Sequence, residues 1–396
     1  MVVALTLASC TAAETPSAPA PVTPSSTNPS TAKPTATPTQ EPPRATQRVV
    51  LGDPWSRDPV KVYAVVQSAL DLVDDTIKGQ GITLSMFSMT YPAAADALLR
   101  AFRRGVEVRV LVNSASADYL QVRRLRAVLG TSRKAYSWVG VRGNGVRMHS
   151  KFMLISGSPK LPDVVWVSSG NFTSASARNQ ANEALITTGD TRLYDFLHTQ
   201  FDLIGRGLVD PVRLGRTAIT DTAVVRTFPI LDGGKGNDPV EDLLDDVSCF
   251  HGSQQTTIRL AQLLLTKERV YLTDTLRRLK AEGCDIRIVV HLSGWIRRGR
   301  DNLIKAGPGR VDLRSAQGAA MHTKITTIDG WDAAGNRLQV AMVGTHNLTG
   351  RALTTVPQGY NDELSLTVDD PKVVGAYSDW VDQVISAHSR PVQQRG

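Results

Sequence analysis

Two stretches of this chain follow one pattern and decide its fold. They are LLRAFRRGVEVRVLVNS at residues 98–114 and LRRLKAEGCDIRIVVHLS at residues 276–293. Each begins with apolar residues at helical spacing, reaches a glycine at position 105 or 283, and continues with the alternation of a β-strand. Because the whole unit occurs twice in the same order, the sequence predicts an internal duplication.

The duplication extends outward from these stretches in both directions. Asp58-Pro59-Val60 opens the first copy and Asp238-Pro239-Val240 opens the second, and an apolar helical pattern follows each. Matching terminal helices are predicted to begin after Asp190 and Asp370.

An order of strand, helix and strand in both copies predicts an α/β fold in which each half is a mixed sheet flanked by helices. The halves are expected at residues 49–221 and 222–396. If they pack about a pseudo-twofold axis, equivalent loops face each other and can form one shared active site. The alternative is two tandem domains with separate functions.

A histidine and a lysine stand two residues apart in both halves, as His149 with Lys151 and His322 with Lys324. Both segments read as strands, in which residues i and i+2 share a face, so each half should present an imidazole beside an ammonium. A single histidine on a strand is more often structural, and a single lysine is usually solvated. Their recurrence in both copies favours a functional role.

Further polar residues follow each histidine and lysine pair in the same order. Turns rich in glycine, serine and threonine contain Asn171 and Asn347, and carboxylates follow at Glu183 and Glu363. An asparagine in such a turn is ordinarily a turn residue, and a lone glutamate is ordinarily on the surface. His346 lies beside Asn347 outside the paired pattern, and we expect it in the substrate pocket or on the surface.

This arrangement resembles the phospholipase D superfamily, whose pattern is His-x-Lys, four residues, Asp, and then a Gly/Ser-rich turn with Asn. The second copy has the full pattern with His322, Lys324, Asp329 and Asn347. The first copy departs from it at one place, where Ser156 occupies the position of the aspartate. The departure concerns a supporting residue more than the reacting groups.

The resemblance implies cleavage of a phosphodiester through a phosphohistidine intermediate, without metal or cofactor. The usual order in the family makes His149 the nucleophile and His322 the general acid and base, although the reverse order stays open. The resemblance further implies a set of residues that hold nonbridging oxygens or orient the histidines: Lys151, Lys324, Asn171, Asn347, Glu183 and Glu363.

The chain has 396 residues, a formal net charge of +8 and 41% hydrophobic residues. Such a composition is that of a globular protein, and its positive charge favours anionic partners. We expect first a phospholipase D that hydrolyses or transfers phospholipid headgroups, as a monomer. The alternatives are an exported endonuclease, suggested by the Arg-rich run at residues 297–300, and a noncatalytic anion-binding protein.

The first residues indicate export. Residues 1–9 are apolar or small, and Leu7-Ala8-Ser9-Cys10 resembles a bacterial lipobox in which the cysteine receives lipid. Residues 10–48 are dominated by Ser, Thr, Pro and Ala and are predicted to form a disordered linker. We therefore expect a protein anchored by lipid to the outer face of the cell membrane, or secreted. Cys249 and Cys284 could form a disulfide or remain two buried thiols.

Overall fold

The computed structural model describes residues 45–143, 145–158 and 161–393. The predicted leader, the lipid-attachment residue Cys10 and most of the predicted linker lie outside these residues. The linker prediction is wrong for its last residues, because Thr46–Leu51 forms a strand whose backbone pairs with Glu183–Thr188.

The first half contains nine strands and seven helices among the described residues. The strands are β1 (Thr46–Leu51), β2 (Gly81–Met86), β3 (Glu107–Asn113), β4 (Trp138–Arg142), β5 (Arg147–Met148), β6 (Phe152–Ile155), β7 (Val164–Ser168), β8 (Gln180–Ala181) and β9 (Glu183–Thr188). The helices are α1 (Pro59–Val62), α2 (Ala64–Asp75), α3 (Pro92–Arg103), α4 (Leu120–Leu129), α5 (Ser174–Arg178), α6 (Thr191–Gly205) and α7 (Pro211–Leu214).

The second half repeats these elements and adds a few short ones. Its strands are β10 (Thr217–Ile219), β11 (Val224–Phe228), β12 (Val247–Ser248), β13 (Phe250–His251), β14 (Gln254–Gln255), β15 (Thr257–Gln262), β16 (Asp285–Val290), β17 (Asp312–Ala316), β18 (Ala320–Met321), β19 (Lys324–Asp332), β20 (Arg337–Gly344), β21 (Asn361–Val368) and β22 (Ser389–Pro391). Its helices are α8 (Pro239–Asp245), α9 (Leu272–Ala281), α10 (Arg297–Ile304), α11 (Gly350–Leu353) and α12 (Pro371–His388).

The two main sheets have the same strand order, which confirms the predicted fold class of two mixed, pseudo-symmetric halves. The first sheet runs β1-β9-β7-β6-β2-β3-β4, and the second contains the matching series β11-β21-β20-β19-β15-β16-β17. In both, the last three strands are parallel and the others are antiparallel. Strand β10, at Thr217, already pairs within the second sheet, five residues before the boundary expected at 222.

Local sequence explains where the repeated helices begin and end. Asp58 and Asp238 cap helices α1 and α8, and each carboxylate accepts a hydrogen bond from a backbone N–H two residues later. Helices α3 and α9 are followed by Gly105 and Gly283 with φ of 86° and 104°, a conformation that glycine adopts without steric cost. Helix α8 ends at Asp245, and Val247 lies in the short strand β12.

One hydrophobic core joins the two halves. It includes Met148 and Leu185 from the first half and Met321, Ile325 and Tyr377 from the second, all buried. Two short parallel ladders also cross between the halves: β5 pairs with β21, and β8 pairs with β18. The halves are therefore packed face to face, as a shared site requires.

Cys249 and Cys284 form a disulfide, with their Cα atoms 4.6 Å apart. The bond ties the β12–β13 segment to the start of β16. It resolves the alternative of two free thiols that the sequence left open.

Replacing both cysteines with serine is expected to lower the free energy of unfolding by about 3–4 kcal/mol, because the bond closes a loop across a separation of 35 residues in the unfolded chain. Urea denaturation of the wild type and the double variant measures the difference. Reductant should destabilise only the wild type, and equal urea midpoints for the two proteins would contradict the expectation.

No helix in the described parts of the chain is long and apolar enough to span a membrane.

Candidate active site

At each histidine the backbone changes its pairing from a strand of the other half to a strand of its own half. Strand β5 ends just before His149 and pairs with β21, whereas β6 begins at Phe152 and belongs to the first sheet. In the same way β18 ends just before His322 and pairs with β8, whereas β19 begins at Lys324 in the second sheet. The prediction that each histidine and lysine lie on one continuous strand is therefore wrong, because the chain must change partner strands at the histidine.

The backbone holds the two histidines in equivalent positions. The N–H of His149 donates to the carbonyl of Asp362 at 2.9 Å, and that of His322 donates to the carbonyl of Ala181 at 3.0 Å. Each histidine is thus fixed by the opposite half. Their relative exposures are 9% and 8%, against 0% for Lys151 and 3% for Lys324, so the imidazoles are the more accessible members of the group.

His149 is paired with a carboxylate from the second half. Its Nδ1 lies 2.8 Å from Oε1 and 2.9 Å from Oε2 of Glu363. Thr345 and Asn361 donate to the same carboxylate, at 2.7 Å and 3.0 Å, and thereby fix its orientation. The edge of the Phe87 ring packs against the imidazole at a centroid distance of 5.0 Å. With Nδ1 engaged by Glu363, Nε2 is the nitrogen left for chemistry.

His322 is paired with an amide instead. Its Nδ1 lies 2.8 Å from Oδ1 of Asn182 in the first half. The Nδ2 group of Asn182 donates to the carbonyls of Ser176 and Gln180, so the oxygen of this amide must face the histidine. The 2.8 Å contact with this oxygen, shorter than the 3.3 Å approach of the Lys324 ammonium to the same nitrogen, favours a proton on Nδ1 of His322 and leaves Nε2 for chemistry.

Among the described residues Glu183 makes no hydrogen bond or ion pair with the His322 ring, in contrast to Glu363 at His149. One of its oxygens accepts from the backbone N–H of Lys324 at 3.2 Å, and the other accepts from Ser169 at 2.7 Å. The residue before it, Asn182, takes the expected role, because β8 places this amide opposite β18 and the histidine that follows.

The two lysines occupy equivalent places. Each ammonium donates to the carbonyl of the histidine two residues earlier, Lys151 to His149 and Lys324 to His322. The Lys151 ammonium also lies 5.3 Å from the Phe87 ring centroid, within range of a cation–π contact. The site thus places two buried cations beside two imidazoles.

Burial disfavours charge on these groups. It lowers the pKa of His149 to about 4, although the Glu363 carboxylate opposes the shift. Burial, followed by the charges of Lys324, Lys151 and His149, holds the pKa of His322 well below its ordinary value. Because each histidine is influenced by the lysine of the other half, both belong to one electrostatic site. Without a bound anion the imidazoles are therefore neutral at pH 7.

The two predicted asparagines lie in equivalent turns. Asn171 accepts a hydrogen bond from the backbone N–H of Ser88 at 3.2 Å. Asn347 is buried, its carbonyl accepts from Arg269 at 3.1 Å, and its Oδ1 has no hydrogen-bond partner among the described residues.

The two positions of the motif aspartate lie away from the histidines. Ser156 accepts a hydrogen bond from the N–H of Gly81 at 2.7 Å and so fastens the start of β2. Asp329 pairs with Arg337 in the β19–β20 hairpin, where both side chains are partly exposed. Ser156 therefore stands at a position that supports the pairing of strands in the sheet, and it is not one of the residues around the two histidines.

His346 is not on the surface. It is buried, its ring stacks on Phe228 at a centroid distance of 4.2 Å, and its Nε2 lies 2.9 Å from the guanidinium of Arg269. It lines a small cavity together with Lys324. It therefore supports the second asparagine turn from inside the protein.

Sequence reasoning missed one buried ion pair beside His149. Arg142 of β4 pairs with Asp362 of β21 at 2.8 Å, and both side chains are buried. Asp362 occupies the position that Asn182 has in the other half, so the repeated pairs Asn182-Glu183 and Asp362-Glu363 could have marked Asp362 as a residue of the site. Nothing in the sequence around Arg142 indicated that it is the partner of Asp362, because the two strands are distant in the chain.

A family described as "Cardiolipin synthase, PLD-like domain" matches residues 75–204 and 249–385, which together exceed half of the chain. The chain belongs to the phospholipase D superfamily. The match includes one histidine and lysine pair in each of its two segments, and the superfamily consists of enzymes that act on phosphodiesters.

Solved structures support the phospholipase D fold. A polyphosphate kinase from Porphyromonas gingivalis aligns over 88% of this chain and 48% of its own, so this chain spans about half its length, with 16% identity and a TM-score of 0.59. A phosphatidylserine synthase from Haemophilus influenzae aligns over 84% of this chain and 86% of its own, with 13% identity and a TM-score of 0.56. At these identities the likeness concerns the fold alone. No curated protein matches the sequence.

Proposed function

We propose that this protein is a phospholipase D-type enzyme that hydrolyses or transfers phospholipid headgroups through a phosphohistidine intermediate. The observation that carries the proposal is the crossed arrangement of the two motifs. His149 is held by Glu363, and His322 is held by Asn182, each across the interface between the halves. Such pairing engages Nδ1 of each ring and leaves Nε2 of each for chemistry.

The partners of the two histidines favour His149 as the nucleophile. When Nε2 of a neutral imidazole bonds to phosphorus, the ring becomes positively charged, and the Glu363 carboxylate at Nδ1 stabilises that charge. His322 has only a neutral amide at Nδ1. Without a carboxylate its protonated form is the stronger acid, which suits proton transfer to a leaving alcohol.

The reaction proceeds in two balanced steps. In the first, Nε2 of His149 attacks phosphorus, the bond to the headgroup oxygen breaks, and the proton on Nε2 of His322 goes to that oxygen. In the second, neutral His322 takes a proton from water, the water oxygen bonds to phosphorus, and the bond from phosphorus to His149 breaks. An alcohol in place of water gives transfer instead of hydrolysis.

The lysines explain how an anionic substrate activates the site. The ammonium groups of Lys151 and Lys324, with the amides of Asn171 and Asn347, would hold the nonbridging oxygens and stabilise charge that grows in the transition state. In return, the negative phosphodiester offsets the two ammonium charges that disfavour protonation of His322. Substrate binding therefore supplies the condition under which His322 can carry the proton to be donated.

A lipid substrate and an exported location belong to the same proposal. The family description names a lipid synthase, and one structural neighbour is a phosphatidylserine synthase. The disulfide between Cys249 and Cys284 suits an oxidising compartment, in agreement with a lipidated Cys10 and a tether that keeps the enzyme near a membrane.

Purified protein should be assayed on phosphatidylcholine vesicles and on plasmid DNA, each with and without EDTA. We expect release of choline that is insensitive to EDTA and absent in His149→Ala. DNA cleavage without lipid turnover would show an endonuclease instead. Failure to turn over either substrate, combined with binding of both, would indicate an anion-binding protein.

Asn182→Asp is expected to move the alkaline limb of the kcat/KM profile up by about 1 pH unit. The new carboxylate, 2.8 Å from Nδ1 of His322, raises the pKa of a group that must be protonated in the first step. Asn179→Asp adds the same charge at an exposed position nearby and should leave the limb unchanged. If only the acid limb moved, the assignment would be reversed, with His322 as the nucleophile and His149 as the general acid and base.

A further inference from the structure

A groove of about 740 Å³ lies beside α10 in the second half. Its lining includes Leu292, Arg297, Arg300 and Asp301 from the segment around α10, and Ser315 and Arg390 from β17 and β22. We call it the α10 groove.

The α10 groove lies at the edge of the second sheet that also carries the second histidine and lysine pair. Leu292 directly follows His291, whose N–H donates to the carbonyl of Gln262 at 3.3 Å, and Gln262 stands opposite Lys324 in the register of β15 and β19. On the other side, Gln317 lines the groove and lies just upstream of β18, the strand that ends before His322. Leu292 and Gln317 therefore lie at the same edge of the second sheet as Lys324, two residues from the second histidine.

Two of the three guanidinium groups in the groove have no carboxylate partner. Arg297 pairs with Asp301 at 3.3 Å, whereas within the described residues no acidic side chain lies within salt-bridge distance of Arg300 or Arg390. Arg300 is held by the carbonyl of Leu292 at 3.5 Å, and its Nε is buried without a hydrogen-bond partner among the described residues.

Surface arginines are ordinarily solvated, but these two converge from distant parts of the chain. Arg300 stands on α10, and Arg390 stands on the edge strand β22, opposite Ser315 in the register of β17 and β22. A planar guanidinium offers paired donors that match the oxygens of a phosphate. Two guanidiniums that line one groove and have no carboxylate partner among the described residues thus offer donors for an anion.

We propose that the α10 groove binds a second phosphate of the substrate while the histidines act on the first. This inference rests on the proposed function and narrows its substrate class to phospholipids whose headgroup carries a further phosphate. The scissile phosphodiester binds between the two histidines, and the headgroup extends past His322 towards Arg300 and Arg390.

The test compares two lipids that differ by one phosphate, phosphatidylinositol and phosphatidylinositol monophosphate, in mixed micelles with the full-length protein. We expect the wild type to prefer the phosphorylated lipid. The double variant Arg300→Gln with Arg390→Gln should lose about tenfold or more in kcat/KM on that lipid, since a hydrogen bond to a charged group contributes at least this factor. Its turnover of phosphatidylinositol should stay within about twofold of the wild type, because only the second phosphate loses its contacts.

Arg298→Gln is the matched control, since it removes the same charge from the same helix but faces the neighbouring groove with Thr273 and Lys305. An equal loss on both lipids, or no loss on either, would overturn the second-phosphate site. A loss confined to cleavage of an oligonucleotide would assign the groove to nucleic acid instead.

Binding of inorganic pyrophosphate, measured by calorimetry, keeps the two proposals distinguishable. If the wild type turns over neither lipid, the proposed function fails. The phosphate site in the groove is then tested separately, and it is supported if pyrophosphate binds the wild type at least about tenfold more tightly than the double variant. Equal affinities would reject the groove as a phosphate site.

Discussion

His149→Ala is expected to lower kcat on the vesicle substrate by at least about 10⁴-fold, because the variant has no atom that can form the covalent intermediate. His149 is held by the Asp362 carbonyl through its backbone and by Glu363 through Nδ1. Its loss therefore removes the reacting atom and leaves the supporting groups in place. Initial rates against vesicle concentration separate this loss of kcat from a change in KM.

His322→Ala should cost about 10²- to 10⁴-fold, and the loss should depend on the leaving group. A p-nitrophenyl phosphodiester needs no proton on its departing oxygen, so the first step should survive in this variant. The second step still needs a base. Quenching in alkaline denaturant, in which the phosphorus–nitrogen bond survives, should therefore trap phosphoryl label on His149 of the variant, with a burst of p-nitrophenol.

His198→Ala is the matched control for both variants, because His198 lies on α6, where its partner is Asp202 of the same helix. It should retain wild-type rates. If His149→Ala gave the burst and His322→Ala did not, the roles of the two histidines would be exchanged. If no label were trapped in any active form, water would attack phosphorus directly.

Arg142→Leu is expected to lower the free energy of unfolding by about 3–5 kcal/mol, because it leaves the Asp362 carboxylate buried without its partner. Burial already raises the pKa of Asp362 to about 6, although Arg142 opposes this shift. The pair also joins β4 to β21 across the two halves, beside the carbonyl that holds His149. Activity should therefore decline together with stability, as measured by urea denaturation and initial rates.

Two further variants test the physical reason for this loss. Arg142→Leu combined with Asp362→Asn removes the buried charge and should recover part of the lost stability. Arg100→Ala breaks the exposed pair with Asp74 and should cost less than about 1 kcal/mol. A similar small cost for Arg142→Leu would mean that water reaches Asp362.

Much of the fold could be predicted because its signals are local and occur twice. Helix caps at Asp58 and Asp238, glycines at 105 and 283, and alternating strands depend on neighbours in sequence. A duplicated pattern then implies equal halves. The strand orders of the two sheets agree with that implication.

The partner of each histidine could not be predicted in the same way. Glu363 and Asn182 lie far along the chain from the histidines that they hold, and only the crossed ladders β5–β21 and β8–β18 bring them together. Glu363 contacts the histidine of the other half, whereas Glu183 contacts the backbone of Lys324. The difference is one residue of register, which turns the amide instead of the carboxylate towards His322.

The sequence by itself determined a duplicated α/β chain with an imidazole and an ammonium in each half, since periodicity and motif spacing are properties of neighbouring residues. Only the tertiary structure decided that the halves exchange their supporting side chains, that one histidine faces a carboxylate and the other an amide, and that two distant arginines face one groove. Those arrangements depend on packing between segments remote in sequence, whose register follows from burying one common core.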